Sequence, residues 1–331
     1  MPAPVRRSRL ALTCAALLAL VVAGAALAGN GGLAPQAPAS PNAGGIRDVY
    51  WLLLGIAGGI FLLVELTLIL FVVRYRSRGR PREVEGPQIR GHTNLELAWT
   101  AGPVVILAVI AGFVFYKISG IDNPGGAAAQ RAPSDETIAI EGHQYYWEFT
   151  YPNGAISVDT LRLPVDRGVK FEIRSADVAH SWWVPALGGK LDAIPGRTNT
   201  TKWRPDELGT FRGQCAEFCG IQHAAMLAYV QVLPQAKYDR WVRKRKSSPS
   251  EVGRESFTGA CSKCHGLAGQ GDIGPPIAQS PLLQDRKALT ALLRNGGVKM
   301  PAVGRDWSNG QLDATIAYLQ KRFKAGGGGG G

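Results

Sequence analysis

The sequence predicts a multidomain membrane protein: a two-helix transmembrane hairpin, then a β-barrel or sandwich, then a small all-α domain. Three observations predict it. Residues 49–73 and 97–116 form two apolar stretches long enough to cross a bilayer, which takes about twenty residues. Between 137 and 233, short runs with strand character alternate with turn sequences. Beyond 250, apolar residues recur at helical spacing around a Cys-x2-Cys-His motif.

At the amino terminus, Arg6, Arg7 and Arg9 precede an apolar run, 10–27, that ends in Ala26-Leu27-Ala28. This pattern reads as a secretory signal, 1–28, cut after Ala28. A retained first membrane helix is the alternative. Residues 29–45 are Gly, Ala, Pro, Asn and Ser for the most part, which predicts a flexible segment.

The hairpin is expected over 46–119. Tyr50, Trp51, Tyr75, Trp99 and Tyr116 sit near the ends of the spans, as membrane-interface aromatics do. Glu65 lies inside the first span, where a carboxylate is costly; a hydrogen bond to a neighbouring subunit accounts for it. The connecting loop carries Arg74, Arg76, Arg78, Arg80, Arg82 and Arg90, so it faces the cytoplasm. Everything after Lys117 is then extracytoplasmic, as expected for a two-span protein of a bacterial plasma membrane. The formal charge of +12 is concentrated in such clusters, and no nucleic-acid-binding motif accompanies it.

A Gly-, Ala- and Pro-rich linker is expected at 120–134. Strands are expected at 137–141, 145–151, 156–161, 169–175, 181–185, 198–203, 210–214 and 227–233, with turns such as Pro152-Asn153-Gly154 between them. Many short strands at this spacing predict a barrel or sandwich over 135–233. Residues 234–250 read as a basic, solvated helix or linker with Lys237, Arg240, Arg243, Lys244, Arg245 and Lys246. The all-α domain spans 251–325, with helices at 251–260, 285–294 and 312–323, the first and last packed together. The glycine tail 326–331 predicts disorder.

Two motifs carry chemistry. Cys215-Ala-Glu217-Phe-Cys219-Gly-Ile-Gln-His223-Ala-Ala-Met226 gathers two thiols, an imidazole and a thioether, and His180 adds a second imidazole from upstream. Zinc is the usual partner of Cys/His sets. Thiolate, thioether and imidazole together suit copper. The chain has three Met: the initiator, Met226 and Met300, the last two each beside a Cys/His motif, whereas core-filling Met would be scattered. A single blue-copper ion takes one Cys; two thiolates with one His each, Met226 and the Glu217 carbonyl would complete a two-copper site.

The second motif, Cys261-Ser-Lys-Cys264-His265, is the signal for covalent haem c, with both thiols bonded to the haem and His265 on the iron. A zinc knuckle is the rival, but no second Cys/His pair follows to complete it. Met300, in Lys299-Met300-Pro301, is the candidate for the opposite iron ligand, because no His follows His265. The fifth cysteine, Cys14, falls in the leader.

The loop 215–226, together with 177–196 (Asp177-Val-Ala-His180-Ser-Trp-Trp-Val-Pro), resembles subunit II of cytochrome c oxidase, a likeness that runs from about 46 to 232. The last third, with Gly274-Pro275-Pro276 as a mid-chain turn, resembles a class I cytochrome c, so the whole is similar to subunit II of a caa-type oxidase. The resemblance implies a cupredoxin Greek-key barrel and a binuclear CuA centre. Its two copper ions would be held by His180, Cys215, Glu217, Cys219, His223 and Met226. It implies that the Glu217 side chain reaches a magnesium ion shared with subunit I. It also implies that Glu96, in Asn94-Leu-Glu96-Leu-Ala-Trp99-Thr, marks the mouth of a proton path into subunit I.

The family places a Trp after the Gln that matches Gln144, where soluble cytochrome c delivers electrons; Tyr145 stands there in this chain, with Trp147 retained. Electrons are therefore expected to enter at Tyr145 or Trp147, with the fused haem domain as donor. A short tether raises the effective concentration of that donor. Implied partners are subunits I and III, with a quinol–cytochrome c reductase or another cytochrome c upstream. Subunit I would reduce oxygen to water with coupled proton translocation. Two other functions fit the same residues: a CuA-bearing nitric oxide reductase subunit, and a membrane-anchored copper chaperone or electron shuttle.

Overall fold

The computed structural model describes residues 34–76, 88–122 and 136–323. The expected leader, Arg78, Arg80 and Arg82, most of the 120–134 linker and the glycine tail lie outside the described residues.

Two long helices, α1 (Pro41–Tyr75) and α2 (Thr93–Asp122), pack side by side. At 1.5 Å per residue they are roughly 52 and 45 Å long. Both exceed a hydrocarbon core of about 30 Å, so their ends project beyond it. Their side chains are apolar around the whole circumference and exposed, Leu63 and Val73 among them, which is what a span facing lipid requires.

The start of α1 differs from expectation. The helix begins at Pro41 rather than at 46, and the residues before it are tied down. Proline at the first turn suits a helix start, and the Ser40 hydroxyl caps it by accepting from Ala43 N. Ala39 is fully buried, and its N–H donates to the Ala186 carbonyl (2.7 Å). Ser40 Oγ donates to Leu187 O (2.6 Å), and Asn42 donates to the carbonyls of Ile121 and Lys202. Glycine, proline and serine had suggested flexibility at 29–45. Tertiary hydrogen bonds over 39–42 override that composition and lash both helices to the globular part.

The globular part begins with ten strands in two sheets: β1 (Glu136–His143), β2 (Tyr146–Thr150), β3 (Ile156–Val158), β4 (Thr160–Pro164), β5 (Val169–Ser175), β6 (His180–Trp183), β7 (Leu191–Ala193), β8 (Asn199–Trp203), β9 (Gly209–Cys215) and β10 (Leu227–Leu233). One sheet has the order β3-β2-β1-β5-β8, the other β4-β10-β9-β6-β7. β1 pairs parallel with β5 and β4 parallel with β10; the other pairs are antiparallel. The sheets face each other across Trp147, Phe149, Phe171, Trp182 and Trp203, with Trp182 and Trp203 stacked at 6.0 Å. This is a cupredoxin-like β-sandwich.

The expected strand at 156–161 is in fact two strands in different sheets. Asp159, at φ +54°, turns the chain between β3 and β4. Aspartate is one of the few residues with a side chain that adopts this left-handed conformation readily. Its carboxylate accepts from Trp147 N (2.9 Å), and its own N–H donates to Trp147 O (2.8 Å). β7 also escaped prediction: three residues held by the edge of β6 give no periodicity to read.

The basic segment forms a helix as expected, α3 (Gln235–Arg245), but one face of it is buried rather than solvated. Tyr238, Trp241 and Val242 pack on the sandwich, and Trp241 meets the Tyr151 ring at 5.0 Å. The Arg245 side chain is fully buried and donates to Ile156 O and Glu255, both at 2.6 Å. The remaining basic residues of α3 occupy its outer face.

The last domain has α4 (Pro249–Ser256), a π-helical turn (Phe257–Cys261), α5 (Ser262–His265), α6 (Arg286–Asn295) and α7 (Asn309–Arg322). The first and last helices pack as expected. Gly253 lies so close to the Ala314 carbonyl that any Cβ there would overlap it, which explains a glycine inside a helix.

Candidate metal centre and haem-attachment site

His180 opens β6, Cys215 closes β9 and Met226 immediately precedes β10, so three neighbouring strands of one sheet frame the loop. The Cys215 N–H donates to the Met226 carbonyl (3.0 Å) and closes the loop at its neck. Inside it the donors converge. Cys215 Sγ lies 3.9 Å from His180 Nδ1, 3.9 Å from Cys219 Sγ and 3.2 Å from the Glu217 carbonyl. Cys219 Sγ lies 3.6 Å from His223 Nδ1 and 3.8 Å from Met226 Sδ. The sulfurs are far beyond disulfide bonding distance, and both thiols are free. Each thiol has its own imidazole, so the set divides into two His–Cys pairs. Six donors exceed what one tetrahedral ion takes. The residues fit copper: soft sulfur and imidazole converge, with His180, Cys215 and Cys219 buried, His223 half-buried and Met226 fully enclosed.

A residue that sequence reasoning did not assign orders this site. Asp177 accepts from His180 Nε2 (2.8 Å), which fixes the tautomer and leaves Nδ1 to face Cys215. Its spacing three residues before His180 was the available signal. Asp177 also accepts from the N–H groups of Gln144 and Val178 (both 2.6 Å). Burial opposes its ionisation, but these hydrogen bonds outweigh burial and hold the carboxyl below its usual range. The two thiols are driven apart. Burial opposes ionisation of Cys215, yet its contacts with His180 and neighbouring backbone bring it down to about 7. Burial and then the Cys215 charge push Cys219 up. Thiols bind metal as thiolates, so occupation of such a site releases their protons.

At the haem motif, the π-helical turn delivers Cys261 to the interior while Cys264 stays half-buried. His265 Nδ1 donates to the Pro275 carbonyl (2.7 Å), leaving Nε2 free to ligate iron. Gly274 lies against the same ring, where a Cβ would come within 2.9 Å of it. Met300 packs on the apolar cluster that contains Cys261. A histidine oriented by a carbonyl, two free thiols and a glycine-lined approach fit covalent haem.

The haem motif and the metal loop touch. Lys263, between the two haem-motif cysteines, donates to Asp159 Oδ2 (2.6 Å) and to Tyr145 O (2.7 Å). Gln222, the neighbour of His223, donates to the Lys263 carbonyl (3.1 Å). Gln144 donates to the Cys219 carbonyl (2.7 Å), and the Tyr145 hydroxyl lies against Gly220. Tyr145 is thus at the seam between the domains. Trp147 is fully buried, edge-on to His180 at 5.9 Å, so it cannot be a surface at which a soluble donor delivers electrons. Glu148 accepts from Gln311 (2.7 Å) and Glu255 from Val158 N (3.2 Å) across the same seam. The domains are therefore docked, not joined by a loose tether.

Two sites lie apart from these. Glu96, in the first turn of α2, accepts from His92 N (3.2 Å) and caps its own helix. The Glu217 side chain is exposed on the metal loop beside Phe218, which is 76% exposed.

A hairpin-anchored sandwich with two thiols, an imidazole and a thioether on one loop, and a second imidazole from the neighbouring strand β6, defines a membrane-bound metalloprotein of copper-site type. Family models match in three places: "Cytochrome C oxidase subunit II, transmembrane domain" at residues 28–116, "Cytochrome C oxidase subunit II, periplasmic domain" at 155–233, and "Cytochrome C oxidase, cbb3-type, subunit III" at 249–319. Cytochrome c oxidase subunit 2 of Alkalihalophilus pseudofirmus is 34% identical, over 76% of this chain and 80% of that protein. That of Synechocystis sp. is 32% identical, over 67% of this chain and 78% of that protein. The crystal structure of the periplasmic domain of subunit II of cytochrome oxidase from Bradyrhizobium japonicum is 32% identical, covering 35% of this chain and 96% of that one, with a TM-score of 0.34. The chain belongs to the cytochrome c oxidase subunit II family and carries a cytochrome c domain at its carboxy-terminal end. It is a membrane-anchored component of a haem–copper oxidase, with its sandwich on the extracytoplasmic side. The families imply copper in the sandwich, haem in the helical domain, and association with subunit I.

Proposed function

We propose that this chain is the electron-delivering subunit of a caa-type oxidase. Cys261 and Cys264 bond the haem, and His265 and Met300 ligate its iron. His180, Cys215, Glu217, Cys219, His223 and Met226 hold two copper ions. When bound, these groups supply one-electron transfer, with an electron shared over the copper pair. The chain's residues do the rest. Asp177 orients His180 for ligation. Met226 and the buried thiols exclude water. Lys263, Asp159 and Gln222 hold the haem motif against the metal loop.

One observation carries this reading: the hydrogen bond from Gln222 to the Lys263 carbonyl (3.1 Å) joins a residue beside His223 to a residue between the haem-motif cysteines. Donor and acceptor loops are in contact with no domain motion required. Tyr145, at the seam, is the point at which electrons cross, and an upstream reductase or cytochrome c delivers them to the haem domain. The exposed Glu217 side chain is the magnesium ligand facing subunit I, and Glu96 opens the proton path into it. Subunit III is the further partner. The domain limits at 135–233 and 251–325 follow from the same reading, and the hairpin expected at 46–119 widens to 41–122, the ends of α1 and α2.

The test is metal content and electron paramagnetic resonance of the purified full-length chain in detergent, separated from subunit I. Two coppers and one haem per chain, with hyperfine structure from one electron shared over both coppers, are expected. One copper with a single-centre spectrum, or zinc, refutes the reading.

A further inference from the structure

Tyr146 belongs to β2 of the sandwich, yet its side chain is part of the core of the cytochrome domain. It is fully buried. Its hydroxyl donates to the Val303 carbonyl (3.0 Å) and accepts from Trp307 Nε1 (2.8 Å). Both partners lie on the carboxy-terminal leg of the loop that carries Met300. The other leg is closed locally: Gly297 N–H donates to the Met300 carbonyl (2.8 Å), after Gly296 turns the chain at φ +76°. Arg294 grips the far end through the carbonyls of Gly304, Arg305 and Trp307. The copper domain thus supplies the hydroxyl that ties the middle of this leg.

The Tyr146 ring is itself fixed. His143, its cross-strand partner on β1, stacks on it at 4.5 Å with a 2° interplanar angle. Neighbouring residues on a strand point to opposite faces. Trp147 accordingly points to His180 while Tyr146 points to the Met300 loop. Burial pushes the Tyr146 hydroxyl well above the ordinary tyrosine range, so it remains a donor.

We propose that Tyr146 is a positioning residue for the haem of the neighbouring domain: its hydroxyl bridges Val303 and Trp307 and holds Met300 at the distance at which its sulfur ligates iron. This rests on Met300 being the iron ligand. Without the hydroxyl the loop loses a buried clamp, and the sulfur competes less well with other ligands.

The experiment uses the full-length, haem- and copper-loaded chain in detergent. Two properties are read: the weak red absorption band of ferric haem with a sulfur ligand, and the affinity for added imidazole, which displaces the sulfur. Losing one buried hydrogen bond shifts such an equilibrium about five- to tenfold. Tyr146→Phe loses two such bonds and should therefore bind imidazole about 25- to 100-fold more tightly and lower the haem potential. Trp307→Phe, which leaves the bond to Val303 intact, should show a smaller shift in the same direction. Glu148→Gln, elsewhere on the seam, should stay within about twofold of wild type, because it leaves both bonds in place. Tyr146→Phe matching wild type in band, affinity and potential overturns the proposal, as does Glu148→Gln shifting equally. A wild-type spectrum without the sulfur band, unaltered by Met300→Ala, removes Met300 as ligand and the proposal with it.

Discussion

Replacing Lys263 with Met tests how the two domains are held. The ammonium and the Asp159 carboxylate lie 2.6 Å apart with side chains 14% and 19% exposed. Truncating one member of a buried pair costs about 3–5 kcal/mol, because the survivor is left charged and unpaired. Asp159 has an escape, since it can take up a proton. Protonating an ordinary carboxyl of pKa about 3.9 at pH 7 costs about 4 kcal/mol. Burial already holds Asp159 above that value even against Lys263, so its protonation costs less. Adding the lost hydrogen bond to Tyr145 O gives an expected cost of about 2–4 kcal/mol. The pH dependence has a definite sign. With Lys263 gone the folded carboxyl titrates higher still, so the penalty is absent well below pH 4 or so and grows as pH rises to the folded value. Asp159→Asn retains an oxygen for Trp147 N and a residue type that tolerates φ +54°. The double variant should recover about 2 kcal/mol of the loss. The assay is guanidinium unfolding of the full-length chain followed by haem absorbance. A Lys263→Met variant within about 0.5 kcal/mol of wild type, or a double variant that loses the sum, refutes the docking argument.

Asp177→Ala removes the group that orients His180 and should weaken copper retention about ten- to hundredfold in a chelator competition. Gly253→Ala forces a Cβ into the Ala314 carbonyl and should destabilise the cytochrome domain by about 1–3 kcal/mol, read as a lower haem-monitored melting temperature. Glu148 is held above the usual carboxylate range, by burial foremost, so the folded state binds its proton more tightly than the unfolded chain does. Stability then falls as pH rises from about 4.3 through the raised value, and Glu148→Gln should flatten that slope in melting curves taken against pH.

The local signals were enough to mark the two candidate motifs and the membrane spans. Two thiols, an imidazole and a thioether within one loop announce a metal site because their spacing is short and their ligand character does not depend on the rest of the chain. Cys261-x2-Cys264-His265 is equally self-contained, and apolar runs announce spans by length alone. The donors that were expected to meet do meet, His180 from a different strand included. Tertiary structure decided everything that depends on what comes to lie beside what. Composition described 29–45 as flexible and 234–250 as solvated, but Ala39 and Arg245 are buried because partners from distant strands satisfy their backbone and charge. Asp159 looks like one residue of a strand until its φ and its bonds to Trp147 and Lys263 make it the corner of the sandwich and the anchor of the haem domain. Tyr145, Tyr146 and Trp147 are consecutive aromatics in sequence, and alternation separates them into a seam, a clamp on the haem loop and a wall of the copper site. Ligand identity is a property of side-chain chemistry and short spacing, so it survives in the linear chain. Docking and positioning are properties of long-range contacts, which exist only once the sheets have closed.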